Sequence, residues 1–337
     1  MCSRPATSCS SPPTAPRRTH CWPRSTAGSS CGKWFPTSRD AWWFRCAALN
    51  QRTFAPIAGA SGMTQMTGSL WSSGVSVMTV RCFQQKVDGI DWYCEMRGDG
   101  PPVVLVPSGE GDCASFDRVA AQLANEFTVL TFDMPGFSRS RVQTADDVSV
   151  SKLGDQIACL VNSLGTHPAT FFGCSSGGVA VLDLVVGHGD LVRNVVVHEV
   201  AMAGAAALLA DLLTLDDAAV VERCQFLFAN MMNDDVAAWE ALGDEYHARL
   251  AQNYVTWVRR YLAPGLLPSH SPEDLVGKPI TWTIGGLTPA VTFLDNVVLA
   301  VKAGCPISPL MCKHFPQVSA PEMLAAHIRQ SVFARQG

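Results

Sequence analysis

The pattern that most constrains this chain is a glycine-flanked serine between a short strand pattern and an apolar helix pattern. The segment Gly173-Cys174-Ser175-Ser176-Gly177 follows Thr170–Phe172 and precedes Gly177–Val186. A serine in a tight strand-to-helix turn has its hydroxyl exposed at the carboxyl edge of a sheet, and the helix N-terminus adds positive potential there. The pattern therefore predicts Ser175 as a nucleophile. An ordinary glycine- and serine-rich turn is the plainer alternative.

Strand and helix patterns alternate on both sides of this turn. The strand patterns lie at Val103–Val106, Thr128–Phe132, Thr170–Phe172, Asn194–Val197, Ile280–Ile284 and Ile307–Leu310. Helical spacing separates most of them, and Asp88-Gly89 predicts an opening hairpin. The alternation predicts an α/β fold in which a mostly parallel sheet has helices on both faces, and the serine turn in this context indicates the α/β-hydrolase type.

Three regions of the chain differ in composition and in hydrophobic periodicity. Residues 1–80 contain eight basic side chains and one acidic one, Asp40. They show no strand or helix periodicity, which predicts a low-order extension rich in Ser, Pro, Cys and Trp. The core is predicted over 81–200 and 269–337. Between its two parts, 201–268 reads as a helical lid, with helix patterns at Ala203–Leu213, Asp217–Met232, Val236–Leu242 and Tyr246–Tyr261.

Composition excludes several classes of function. The net charge of -4 gives no reason to expect a nucleic-acid partner. No apolar run is long enough to predict a membrane span. The 13 cysteines include no C-x-x-C spacing, which predicts free thiols and a cytoplasmic protein rather than a zinc site or a disulfide framework. A homo-oligomer is compatible with this composition.

A nucleophilic serine needs a general base, and in this fold the order along the chain is serine, acid, histidine. The histidines considered are His198, His247, His270, His314 and His327. His314 alone lies in the loop between the last strand and the last helix, where the base belongs. For the acid, Glu199 directly ends the strand pattern of Val195–Val197, whereas Asp295 falls within a helix pattern. Glu199 is favoured, and a structural salt bridge is its alternative role.

The turn after Val103–Val106 supports two interpretations. As part of a hydrolase, it supplies the Gly109 N–H, which with the Ser176 N–H would form an oxyanion hole. Yet Gly109–Ala114 also matches G-x-G-x-x-A, and Asp133 ends the next strand about twenty residues later, as in an NAD-type oxidoreductase. That alternative is disfavoured because a hairpin precedes the strand, and because it leaves Ser175, Glu199 and His314 unexplained.

Several segments resemble the fungal zearalenone hydrolases. The resemblance covers roughly 81–337. It is carried by Gly173–Gly177 and by Val104–Pro107, Thr131–Gly136, Ser138–Ser140, His198-Glu199, Gly243–Glu245, His247–Leu250, Asn253-Tyr254, Trp257 and His314–Pro316. It implies a triad of Ser175, Glu199 and His314, and Gly109 and Ser176 as oxyanion donors. It also implies hydrolysis of a macrocyclic resorcylic acid lactone, followed by loss of carbon dioxide from the product, with no metal or organic cofactor.

The resemblance makes Trp257 a lid residue that contacts the substrate. The other substrate contacts that we predict are Ser108, Met231, Tyr261 and Phe315. One departure is that the family has an aspartate where this chain has Ser108, and the lid near Met231 looks shorter. A general carboxylesterase and a ligand-binding receptor on the same fold therefore stay open as alternatives.

Overall fold

The structure, a computed structural model, describes residues 79–262 and 270–333. The predicted extension of residues 1–80 falls almost entirely outside these residues, as does the end of the predicted lid. No helix in the described part of the chain is both long and apolar enough to cross a membrane.

One sheet organises the described residues. Its strands are β1 (Arg81–Val87), β2 (Ile90–Arg97), β3 (Pro102–Val106), β4 (Thr128–Phe132), β5 (Arg141–Val142), β6 (Ala169–Cys174), β7 (Val192–His198), β8 (Ile280–Gly285) and β9 (Ile307–Leu310). Their order is β1-β2-β4-β3-β6-β7-β8-β9, with β5 paired to β2. The pairs from β3–β4 onward are parallel, and the opening hairpin is antiparallel. The predicted α/β-hydrolase fold is confirmed.

Continuous apolar sequence explains the buried centre of the sheet. β3, β4, β6 and β7 have almost no exposed residues. Strands covered on both faces need apolar side chains at every position rather than at alternate ones. Because β6 lies beside β7, and β8 and β9 continue in the same direction, the carboxyl ends of these four strands meet at one edge of the sheet.

Eleven α-helices occur among the described residues. They are α1 (Asp117–Leu123), α2 (Val150–Leu164), α3 (Ser176–Gly187), α4 (Ala203–Leu208), α5 (Asp217–Phe226), α6 (Val236–Glu240), α7 (Asp244–Arg260), α8 (Pro272–Leu275), α9 (Leu294–Ala303), α10 (Pro316–Ser319) and α11 (Pro321–Phe333). Helix α2 packs on α3, and α1 packs on α11. The segment between β7 and β8 thus contains α4–α7 as well as α8.

Two of the predicted lid helices differ from those observed. The pattern at Ala203–Leu213 splits into α4 and a 3-10 helix at Ala210–Thr214, because the chain leaves helical geometry at Leu209. The pattern at Asp217–Met232 ends as an α-helix at Phe226 and continues as a π-helix over Leu227–Met231. A π-helical turn shifts the side chains that follow it relative to a continuous α-helix, and such turns are frequent at functional sites.

Candidate active site

Ser175 occupies the sharp turn between β6 and α3. Its backbone has φ 53° and ψ -118°, a conformation that side chains rarely adopt outside such strained turns. There is no room for side chains on the flanking glycines. A Cβ on Gly173 would collide with the Gly177 carbonyl oxygen, and one on Gly177 would collide with that of Pro107. The G-x-S-x-G sequence is therefore what allows this turn to form.

Glu199 and His314 meet at the edge of the sheet where Ser175 lies. Glu199 follows β7, and His314 lies in the loop after β9. Nδ1 of His314 donates to Oε2 of Glu199 at 2.8 Å, and Oε1 of Glu199 accepts from the Gly285 N–H at 2.9 Å. With its proton on Nδ1, the imidazole keeps Nε2 available as a proton acceptor. This is the arrangement that a general base requires.

The carboxyl of Glu199 is buried yet favours its ionised form. Burial raises the pKa of Glu199, but the hydrogen bond from His314 and the positive charge that His198 or His314 carries when protonated outweigh it. The pKa of Glu199 consequently lies below its usual value. An ionised carboxylate here stabilises an imidazolium on His314, which is the species formed when this ring accepts a proton.

The serine turn and the histidine loop are in direct contact through Cys174. Its thiol donates to the His314 carbonyl oxygen at 3.0 Å. Among the described residues, no hydrogen bond joins the Ser175 hydroxyl to the His314 ring. Such bonds are often loose in unliganded enzymes and tighten when the substrate binds.

The other candidates for the base and the acid have different partners. Asp295 lies in α9, where its carboxylate accepts from the Gly204 N–H at 3.2 Å, and among the described residues no hydrogen bond joins it to His314. His198 is fully buried, with Nδ1 3.0 Å from Thr283 Oγ1 and Nε2 3.2 Å from the Lys313 carbonyl oxygen. Burial lowers the pKa of His198 to about 4. Of the two acids weighed from the sequence, only Glu199 is brought to His314.

Two backbone N–H groups lie where an oxyanion hole is expected. Ser176 is the first residue of α3, and Gly109 lies in the turn closed by the hydrogen bond from Gly111 N to Ser108 O at 3.1 Å. Neither the Gly109 N–H nor the Ser176 N–H donates to an acceptor within the described residues. Free N–H donors at a helix N-terminus and in a tight turn are suited to binding a developing oxyanion.

The predicted substrate contacts fall into two groups. Trp257 and Phe315 both contact Phe228, whose ring centroid is 5.2 Å from that of Trp257 and 5.3 Å from that of Phe315. Met231 ends the π-helix that contains Phe228. Tyr261, in contrast, packs edge-on against Phe137, with centroids 5.3 Å apart. It joins none of the aromatic pairs made by Phe228.

Ser108 belongs to the turn Ser108–Gly111, which we call the oxyanion turn after the role predicted for Gly109, and Trp257 packs against this turn. Ser108 is buried and is the first residue of that turn. The indole of Trp257 covers Gly109 so closely that a Cβ on this glycine would lie 2.6 Å from Trp257 Nε1. A side chain on residue 109 would therefore displace the tryptophan.

Sequence reasoning missed two residues that organise this region. Phe228 contacts Tyr254, Trp257, Phe315 and Trp239. Its only sequence signal is its place in an apolar helix pattern, which core residues share. Asn253 stands out in the sequence only as part of a segment that resembles the family, yet in α7 it is buried against the oxyanion turn. A polar residue on the buried face of an amphipathic helix is the signal that identifies such a position.

The turn at Gly109–Ala114 does not fit the dinucleotide alternative. Both carboxylate oxygens of Asp133 are already used, since Oδ1 accepts from the Cys113 N–H and Oδ2 from the Arg139 N–H and Nε. A carboxylate committed in this way has no oxygen to offer a ribose hydroxyl. Across residues 79–262 and 270–333, no three histidine, cysteine or acidic side chains are grouped as a metal site would require.

Comparison with known proteins matches the fold described above. The family model described as alpha/beta hydrolase fold matches residues 101–269. A protein of Bionectria ochroleuca named zearalenone hydrolase is 42% identical over 253 residues, covering 72% of this chain and 93% of that relative. A zearalenone hydrolase of Cladophialophora bantiana is 41% identical over 250 residues, covering 72% of this chain and 92% of that protein.

Solved structures show the same fold at much lower identity. The enol-lactonase from Burkholderia xenovorans LB400 superposes with a TM-score of 0.58 at 17% identity, covering 74% of this chain and 99% of that one. The naproxen esterase from Bacillus subtilis gives a TM-score of 0.58 at 14% identity, covering 75% of this chain and 92% of the esterase.

Proposed function

The chain belongs to the zearalenone hydrolase family of α/β-hydrolases, and on that premise we propose that it opens a zearalenone-like resorcylic acid lactone through an acyl-enzyme on Ser175. The observation that carries the proposal is the 2.8 Å hydrogen bond between His314 and Glu199 at the sheet edge where the serine turn lies. A buried carboxylate–imidazole pair beside a strained serine turn supports acyl transfer more directly than any other chemistry in the described part of the chain.

The first half of the reaction makes the acyl-enzyme. Oγ of Ser175 attacks the carbonyl carbon of the lactone, and its proton passes to Nε2 of His314. The negative charge that develops on the carbonyl oxygen is stabilised by the N–H groups of Gly109 and Ser176. Collapse of the tetrahedral intermediate breaks the ring C–O bond, and His314 returns the proton to the leaving oxygen. The new hydroxyl stays on the same molecule because the substrate is cyclic.

The second half releases the product. His314 removes a proton from water, the resulting hydroxide attacks the acyl carbon, and the proton is returned to Ser175 as the ester bond breaks. The product is the open hydroxy acid. Glu199 remains ionised throughout and stabilises the imidazolium in each half of the reaction.

Trp257 supports the assignment of an aromatic lactone. Its indole covers Gly109, so a substrate with its carbonyl oxygen at the oxyanion turn would meet the edge or face of this ring. Phe228 and Phe315 extend a buried aromatic cluster from Trp257 to the residue after His314. An aromatic, apolar lining of this kind suits a planar phenolic ring joined to an apolar macrocycle.

The test uses the full chain with zearalenone and with a short nitrophenyl ester, followed by intact mass after treatment with a fluorophosphonate. Ring opening of zearalenone together with one adduct on Ser175 is the expected result, and Ser175→Ala should lose both. Cleavage of the nitrophenyl ester alone would make the protein a general carboxylesterase. An adduct without turnover of either ester would favour a ligand-binding receptor.

A further inference from the structure

Three residues on one face of α7 contact the oxyanion turn or Asp112, the residue that follows it. Nε of Arg249 donates to Asp112 Oδ2 at 2.6 Å, and Nδ2 of Asn253 donates to the Glu110 carbonyl oxygen at 2.7 Å. Trp257, one helical turn further on, covers Gly109. Residues four apart lie on the same helix face. Helix α7 therefore packs along this loop, with successive turns of the helix contacting Asp112, Glu110 and Gly109.

Asn253 is the only one of the three residues whose hydrogen bonds reach the backbone of the turn itself. Its Nδ2 donates both to the Glu110 carbonyl oxygen and to Ser138 Oγ, each at 2.7 Å, and its Oδ1 accepts from the Ser138 N–H at 2.9 Å. The side chain is almost fully buried. These three bonds fix the amide orientation, since a flip would place Oδ1 against the Glu110 carbonyl oxygen.

The hydrogen bond from Asn253 to the Glu110 carbonyl oxygen is a second constraint on this turn, in addition to the turn's own backbone hydrogen bond. Gly111 N donates to Ser108 O, so Gly109 and Glu110 are the central residues of a β-turn. The carboxyl side chain of Glu110 is held separately, by the Ser115 hydroxyl and by Nε2 of Gln317. Through Asn253, α7 also fixes the main-chain carbonyl of Glu110, and this bond restricts the orientation of the peptide groups in the turn.

We propose that Asn253 is a positioning residue for the oxyanion hole, and that its side-chain amide keeps the Gly109 N–H directed at the reacting oxygen. The inference rests on the proposed serine mechanism and adds a role for the lid helix within it. In this proposal, helix α7 stabilises the position of the Gly109 N–H, one of the two oxyanion donors. Donors that are already in position are what make an oxyanion hole effective.

The decisive variant is Asn253→Asp, which has the same shape but places an oxygen where Nδ2 meets the Glu110 carbonyl. We expect kcat/KM for a nitrophenyl ester to fall by about tenfold to a hundredfold, somewhat less than the loss of a whole oxyanion donor. The matched control is Ser138→Ala, which removes one bond of the same amide on its far side. It should keep kcat/KM within about twofold, well below one factor of ten.

Two ketones separate positioning from a merely structural role. Ser175 adds to the carbonyl carbon of an aryl trifluoromethyl ketone and forms a hemiketal oxyanion, whereas the matching methyl ketone binds without forming a charge. In Asn253→Asp, the affinity for the trifluoromethyl ketone should fall by the same factor as kcat/KM, with the affinity for the methyl ketone unchanged. Equal weakening of both ketones, or wild-type kcat/KM per folded molecule, would overturn the inference.

Asn253→Ala is measured in the same way in case Asn253→Asp does not fold, because alanine removes the donor without burying a carboxylate. Failure of the underlying mechanism is distinguishable. In that case the wild-type chain itself neither labels at Ser175 nor binds the trifluoromethyl ketone more tightly than the methyl ketone.

Discussion

Glu199 Oε2 lies 2.8 Å from Nδ1 of His314, across 115 positions of sequence. To reach it, Glu199 adopts φ 43°, in the left-handed region that is unfavourable for a residue with a long side chain. The conformation is held from within the sheet, since the Glu199 N–H donates to the Thr283 carbonyl oxygen at 3.2 Å. Backbone strain of this kind costs about 1–3 kcal/mol and persists where the surroundings over-determine it. Here the strained conformation accompanies a carboxylate aimed at His314.

Exchanging Glu199 for glutamine tests the assignment of the acid. Glu199→Gln keeps the shape but removes the charge that stabilises the imidazolium, so kcat should fall roughly a thousandfold to ten-thousandfold. The matched control is Asp295→Asn, in the acid that is bonded to Gly204 instead. Its kcat should stay close to that of the wild type. Hydrolysis of a nitrophenyl ester measures both, and the reverse ranking would refute the role of Glu199.

Ser175 and His314 should behave as one unit. Each alanine variant alone should lose nearly all turnover, by roughly a million-fold in kcat, and the double variant should lose little more. The physical reason is that the Ser175 hydroxyl is a poor nucleophile without the base, and His314 has no hydroxyl proton to accept once Ser175 is removed. Single-turnover assays on the three variants measure this. Additive losses would mean that the two side chains act independently.

The sheet and its turns were accessible to sequence reasoning because they depend on local patterns. Continuous apolar runs predict buried parallel strands, and glycine on both sides of Ser175 predicts the strained turn. Loop position was enough to select His314. In contrast, the roles of Phe228 and Asn253 depend on how α7 and the π-helix lie on the core, and no spacing rule encodes that contact. The break at Leu209 has no local sequence signal, because Ala205–Leu208 before it and Ala210–Leu213 after it consist mainly of residues with high helix propensity.

Acid should destabilise the protein through His198. Because burial lowers the pKa of His198 from 6.5 to about 4, the unfolded chain takes up this proton first as the pH falls. The free energy of unfolding should therefore decrease between pH 6.5 and pH 4, by about 3 kcal/mol from this residue. Denaturant unfolding at several pH values would show the loss, and His198→Gln should remove that part of it.

His198 and Glu199 lose their contributions to stability in different pH ranges. Glu199, His314 and His327 are the titratable side chains that influence His198. Glu199 has a lowered pKa, so its own contribution to stability is complete above its usual value of 4.5 and is lost only at lower pH. A pH profile of His198→Gln that matches the wild type between pH 6.5 and pH 4 would rule out a neutral, buried His198.

Gly109→Ala should damage the site through Trp257. A methyl group on residue 109 would lie 2.6 Å from the indole Nε1 and 2.8 Å from Cε2, so the ring must move. Overpacking of this kind costs roughly 1–3 kcal/mol, and here it also shifts a predicted substrate contact. Gly187→Ala is the matched control, because a Cβ there meets nothing within 4 Å. Melting temperature and lactone hydrolysis should fall in Gly109→Ala only.

Trp257 should matter more for the lactone than for a small ester. Trp257→Ala removes a buried aromatic side chain, which costs roughly 3–5 kcal/mol of stability, so activities are compared per folded molecule. A short nitrophenyl ester needs only the triad and the oxyanion donors, whereas a resorcylic lactone also needs the indole face and its N–H. Lactone hydrolysis should fall by about tenfold or more relative to the nitrophenyl ester, with each tenfold corresponding to 1.4 kcal/mol of transition-state stabilisation. Trp257→Phe keeps an aromatic face without the N–H and should fall between. Equal losses on the two substrates would reduce Trp257 to a packing residue of the lid.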